Sequence, residues 1–315
     1  MRLPSLLLLG PLLAAACHQE PLPGPDPAAT QALARARSLF ADEKPFEAIA
    51  EVQRAVALAP EWAEAHLSLG KLLLTYSDVR FSTATIDRGR LEQAIEHLER
   101  ACQLDPKNSE ALYWSGAALA KADRATEARQ RLERSLELRP DHGPTLREFG
   151  GVLAGEGDAK RAIEVLTRAR QALPKDAEIA LQLGLQLESE GRLEEARDAY
   201  LAACELNRAH PGPRAALITL YGRLGDPEKA EFMKSEFERC RAFGKRITAA
   251  SQRFDENRRD PAACLGLAEL YLEVENPAEA RQWVERALRL DAKFAPAMAL
   301  LERLESGGSR SGEPR

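Results

Sequence analysis

The chain has 315 residues, with 44 Lys plus Arg against 49 Asp plus Glu, for a formal net charge of −5. That acidic balance excludes the basic excess on which nucleic-acid binding depends. Aromatic residues are only 5% of the chain, and long runs are rich in Ala, Leu, Glu and Arg, which excludes an all-β architecture and points to helices.

Residues 1–17 read MRLPSLLLLGPLLAAAC. Arg2 gives a positive start, and Leu3 to Ala16 form an apolar stretch broken by Pro4 and Pro11. The stretch is shorter than the roughly 20 apolar residues of a spanning helix, so 1–16 reads as a secretory signal peptide. Leu13-Ala14-Ala15-Ala16-Cys17 resembles the bacterial lipobox, although Ala14 stands where many lipoboxes have Leu. In that family cleavage falls before the Cys, whose sulfur then carries diacylglycerol. The resemblance implies that Cys17 is a lipidated mature N-terminus on an exported bacterial lipoprotein. His18 rather than Asp follows it, which by likeness to Gram-negative lipoproteins implies the outer membrane, facing the periplasm. Ala14-x-Ala16 also fits ordinary signal-peptidase cleavage, which would give a secreted periplasmic protein.

Pro21, Pro23, Pro25 and Pro27 then fall within ten residues, too many for a helix or sheet interior. The segment 17–28 reads as an extended tether, which at about 3 Å per residue spans roughly 30 Å.

The body is periodic. An alanine followed by an apolar helical run recurs at Ala48, Ala94, Ala128, Ala162, Ala196, Ala230 and Ala280, at intervals of 46, 34, 34, 34, 34 and 50 residues. Twelve residues earlier in the regular repeats stand Gly116, Gly150 and Gly184, with Gly70 at the matching place in the second. Pro60, Pro106, Pro140 and Pro174 close four repeats, and Gly89, Gly157, Gly191 and Gly225 mark turns between helices. Small residues permit a close helix approach, so the reading sets the eighth-position Gly against the twentieth-position Ala. It places the large residues Leu98, Leu132, Leu166 and Tyr200 between successive hairpins.

This pattern resembles the tetratricopeptide repeat, and the resemblance covers 29–304. It implies an all-α solenoid, a right-handed superhelix of antiparallel helix pairs. The repeats are assigned to 29–62, 63–108, 109–142, 143–176, 177–210, 211–260 and 261–294. Residues 295–304 read as a lone capping helix, because one hairpin cannot bury its own apolar face. The Gly-, Ser- and Arg-rich tail 305–315 reads as disordered.

Two repeats exceed the period. The second carries twelve extra residues, Ser77 to Arg88, between its helices, with Phe81 at the centre. This reads as a tolerated surface loop or one that touches a ligand. The sixth reads as a long second helix over 228–257, with Phe232, Met233, Phe237, Cys240, Phe243, Ile247 and Phe254 at helical spacing and Gly244 as a place to bend. The extra turns either fold back on the stack or give a contact for a homo-oligomer.

No catalytic constellation emerges. His18, His66, His97, His142 and His210 include no pair at metal spacing, and Cys102, Cys204, Cys240 and Cys264 match no zinc pattern. No metal, cofactor or enzymatic activity is expected. Function falls to a surface. By resemblance, positions 2, 5, 9 and 12 of each first helix line a concave groove. The candidate residues for binding a protein partner there are Leu67, Lys71, Tyr113, Leu181 and Leu185. The pairing of Lys at position 5 with Asn at position 9, which clamps a terminal carboxylate in one branch of the family, is absent. The chain therefore reads as a non-enzymatic adaptor, lipid-anchored in the bacterial envelope. The alternative is a structural component packed permanently in a larger envelope complex.

Overall fold

A computed structural model describes residues 25–42, 44–77, 87–274 and 276–308. The signal peptide, Cys17, the tether through Gly24, the inner part of the insertion with Phe81, and the tail from Ser309 lie outside them. Among the described residues there are fifteen α-helices and no strands. They fall into two compact units divided between Pro106 and Lys107. The N-terminal unit holds α1 (Pro27–Ala41), α2 (Pro45–Leu58), α3 (Ala63–Thr75) and α4 (Arg88–Leu104). The C-terminal unit holds α5 (Ser109–Lys121), α6 (Ala125–Leu138), α7 (Gly143–Gly155), α8 (Ala159–Ala172), α9 (Ala177–Ser189) and α10 (Leu193–Leu206). It continues with α11 (Pro211–Leu224), α12 (Pro227–Glu256), α13 (Pro261–Glu273), α14 (Pro277–Leu290) and α15 (Ala295–Gly308). Each odd helix packs on the even helix after it as a hairpin, and α14 packs on α15.

The first helix begins inside the stretch read as tether. Pro27 occupies its first turn, where a missing N–H costs nothing, and Asp26 caps it by accepting from the Ala28 amide at 2.7 Å.

One turn geometry recurs in the C-terminal unit. Asp123, Gly157, Gly191 and Gly225 all have φ between 62° and 81°. This left-handed residue lets the next amide reach back to a carbonyl inside the first helix. Arg124 N donates to Leu119 O at 2.9 Å, Asp158 N to Leu153 O at 3.0 Å, and Arg192 N to Leu187 O at 2.9 Å. Asp123 is a turn residue that a search for glycine misses. Gly89, read as a turn, is instead the second residue of α4. The insertion has replaced the tight turn there, and Asp87 caps α4 by accepting from Arg90 N at 3.0 Å. Helix α4 has 17 residues where α6 has 14, and it begins at Arg88, the last residue of the insertion. The base of the insertion is closed by the Asp87 amide donating to the Ser77 carbonyl at 3.0 Å.

The small residues do not face one another as read from the sequence. A Cβ added to Gly116 would stand 2.6 Å from Leu132 Cγ, and one added to Gly150 would stand 2.6 Å from Leu166 Cγ. At Gly70 the neighbour is Leu98 at 2.5 Å, and at Gly184 it is the Tyr200 ring at 2.5 Å. The alanine contributes its backbone, with Ala128 O 3.3 Å from the Gly116 position. Leu98, Leu132, Leu166 and Tyr200 therefore lie over the glycine of their own hairpin, not only in the gap to the next one. Alanine at the twentieth position lets the backbones close, and glycine at the eighth leaves room for the large side chain.

Proline does not uniquely end the second helices. Ala59, Asp105, Arg139 and Leu173, each before a proline, leave the helix at φ between −130° and −139°. That is the extended backbone a following proline favours. Asn207 and Asp291 adopt φ −137° and −143° with no proline after them. There the side chain accepts a local amide, Ala209 N at 3.1 Å and Lys293 N at 2.9 Å.

The sixth hairpin carries its excess wholly in α12, which has 30 residues against 14 in α10. It runs through Gly244 as one helix. Ala230 and Met233, near its start, pack on a core built from Leu183, Leu187, Tyr200, Leu217 and Tyr221. Ile247, Ala250 and Phe254, near its end, belong to a second core with Cys264, Leu267, Val284 and Leu300. Met233, Cys240, Phe243, Ile247 and Phe254 are thus buried or packed inside the chain, whereas Phe237 is half-buried and in neither of these two cores. Phe232 is 58% exposed.

Candidate partner-binding site

The five residues singled out for the groove divide by environment. In the N-terminal unit Leu67 is buried and Lys71 is half-buried. In the C-terminal unit Tyr113 is buried as well. Its ring lies edge-on to His142 at 5.5 Å and tilted against Trp114 at 5.1 Å. Burial, followed by the nearby Glu148 carboxylate, pushes its hydroxyl pKa up. Leu67 and Tyr113 are buried, so neither offers open surface on its own. Position 5 lies near the start of the first helix, where the adjacent helices and turns can cover it.

Leu181 and Leu185 differ. Leu185 is 47% exposed on α9, one turn beyond the half-buried Leu181. Leu181 borders a depression of about 660 Å³ whose apolar lining includes Leu173, Pro174, Leu206 and Pro213. Lys175, Asp176, Glu178 and His210 give it a polar margin. The turn before α9 and the turn before α11 thus bracket the same space.

Local chemistry fixes this arrangement. Asp176 caps α9, its Oδ1 accepting from Glu178 N at 3.0 Å and Ile179 N at 3.3 Å. Its other oxygen accepts from Arg147 at 3.0 Å, which ties α7 to the entry of α9. His210 caps α11 through its ring, Nδ1 accepting from Gly212 N at 3.1 Å. The bonds to the Asp176 carboxylate are charge-assisted, and together with the His210 cap they hold the rim in place without filling it.

A search of first-helix positions alone misses Leu173 and Leu206, because they stand where one repeat joins the next. Their signal was present as apolar residues at repeat ends. In the N-terminal unit Phe40 and Phe46 are exposed, and Phe46 stands 6.3 Å from the Tyr76 ring. No described helix is long and apolar enough to cross a membrane.

Family models described as tetratricopeptide repeat match residues 85–148, 149–212 and 261–294. No curated protein matches the chain. Among solved structures, pilF of Pseudomonas aeruginosa is 20% identical, with 69% of this chain and 93% of that one covered at a TM-score of 0.57. MamA, residues 41 to the end, from Desulfovibrio magneticus RS-1 is 24% identical, with 57% and 95% covered at a TM-score of 0.50. At these identities the likeness is one of fold.

Proposed function

Because the chain is a tetratricopeptide-repeat protein, and so a protein-interaction scaffold, we propose that it is an exported, lipid-anchored adaptor that holds a segment of a partner protein against α9. The observation that carries the binding part is the depression beside Leu181, continued by the exposed Leu185. Contiguous apolar surface with a polar margin is the usual form of a protein contact. Lys71, Leu67 and Tyr113 have no part in this reading, since two of them are buried and none of the three lines that depression.

The double variant Leu181→Ser/Leu185→Ser tests it. Partner recovery from membranes, followed by mass spectrometry, is expected to fall about tenfold or more at temperatures where the variant is folded, with the melting curve lowered only modestly by the loss of the contact Leu181 makes with the core. A lowered melting temperature, with the partner still recovered by the folded fraction, would assign both leucines to packing.

The anchoring part rests on the sequence ending Ala14-Ala15-Ala16-Cys17. Several acyl chains on one cysteine anchor firmly where a single chain binds only marginally. Cys17→Ala is expected to move the protein from the membrane fraction or to stall its processing. An unchanged fractionation, with a mature mass that lacks lipid, would refute the anchor and favour the secreted periplasmic alternative.

A further inference from the structure

His66 and His97 lie far apart in the sequence and on different helices, α3 and α4. No sequence spacing joins them. The hairpin brings their Nδ1 atoms to 3.1 Å of each other. His66 Nε2 stands 3.0 Å from the Pro60 carbonyl oxygen. A carbonyl only accepts, so Nε2 carries the hydrogen, and Nδ1 of the neutral ring is a bare lone pair aimed at His97. Two ring nitrogens at this separation share either a hydrogen, as an N–H···N bond between neutral rings, or a metal ion that takes its place.

We propose that His66 and His97 form a two-histidine site for a divalent first-row transition ion of the zinc or copper class, bound through both Nδ1 atoms and clipping α3 to α4. Zinc–imidazole bonds of about 2.0–2.1 Å put two ligands of a tetrahedral ion roughly 3.3 Å apart, close to the separation already present. The bond from His66 to Pro60 is the outer contact that ligating histidines commonly make, and it fixes the tautomer that leaves Nδ1 free.

The surroundings suit a cation. A depression of about 450 Å³ over the pair is lined by Glu61, Glu96 and Glu99. Arg100, the one cation on that wall, is held by Glu61 at 2.6 Å to each carboxylate oxygen. Among the described residues no group of three His, Cys, Asp or Glu forms a ready metal set. The remaining coordination positions therefore fall to water on the open side. Imidazole pairs suit zinc, copper and nickel, and the order of affinity should follow the general ranking, with copper tightest.

The test uses the full chain without an affinity tag, stripped with EDTA and titrated with zinc chloride, and separately with copper sulfate, by calorimetry at neutral pH. The expected result is saturable binding of one ion per chain, a melting temperature raised by the ion and restored by EDTA, and affinity weakened about tenfold or more in His97→Gln. His97 is half-buried, so this variant should keep its fold, checked by circular dichroism. His66→Gln should behave alike, and if it unfolds, His97→Gln alone decides. Absence of saturable binding, or equal affinity in His97→Gln, overturns the proposal and leaves a shared proton as the only occupant between the rings.

Discussion

Gly184→Val is expected to lower the stability of the C-terminal unit by about 3 kcal/mol or more, a large part of the stability of an ordinary domain. A Cβ at residue 184 would stand 2.5 Å from both Cδ1 and Cε1 of Tyr200. Tyr200 is fully buried and cannot swing aside. Its hydroxyl donates to Glu188 at 2.8 Å, and Glu188 accepts from Arg223 at 2.6 Å, so the ring is held at its far end. Burial, and then that bond to Glu188, pushes the tyrosine pKa up, so the hydroxyl stays a donor across the ordinary pH range. Gly184→Ala adds the same Cβ with less bulk, and its better helix propensity returns about 1 kcal/mol. It should therefore be milder than Val but still harmful.

Tyr200→Ala alone should cost about 3–5 kcal/mol by opening a cavity. Combined with Gly184→Ala, the loss should be smaller than the sum, since the added methyl enters the space the ring has left. Urea midpoints of the four chains measure this. Strict additivity, or a neutral Gly184→Val, would show that helices α9 and α10 do not meet at this contact.

The fold was legible because the constraint repeats. Gly116, Gly150 and Gly184 recur at the same step because each hairpin solves the same close approach, and three repeats in agreement outweigh any one residue. The identity of the neighbour was not legible. A small residue announces a tight contact but not whether backbone or side chain fills it, so Ala128 and Leu132 exchanged roles. Asp123 escaped because glycine is the usual left-handed residue, while Asp tolerates that conformation at modest cost. The candidate surface was only partly readable for a related reason. Helical position gives the face on which Leu67, Tyr113 and Leu181 lie, but cover comes from neighbouring helices and turns. His142 supplies that cover for Tyr113 from 29 residues away in the sequence. The same distance problem hid the approach of His66 to His97.

Gly244→Pro is expected to split the unfolding of the C-terminal unit into two steps. Helix α12 joins two hydrophobic cores as one continuous rod, about 45 Å long at 1.5 Å per residue for its 30 residues. Its first turns lie on the core around Tyr200 and Leu217, and its last turns lie on the core around Leu267 and Val284. Gly244 falls between them. Nothing stands within 4 Å of a Cβ placed there, so no tertiary contact explains a loss of stability on substitution. Proline removes the amide bonded four residues back and clashes with that carbonyl, at about 3 kcal/mol or more. It also disfavours helical backbone at Phe243, whose ring is buried. Across the break, Arg246 keeps its pair with Glu273 at 2.5 Å and Phe254 its edge contact with Trp283 at 5.1 Å, so the last core retains its own contacts. Gly244→Ala is the control, expected to raise stability by about 0.5–1 kcal/mol because the site is helical and open. Trp283 fluorescence, with Trp62 and Trp114 replaced by Phe, reports the last core, while far-UV circular dichroism reports all the helices. The two signals should separate in Gly244→Pro and stay closer together in Gly244→Ala. Coincident curves in both chains would mean that α12 does not couple the cores, and its thirty-residue continuity would then be incidental to how the protein holds together.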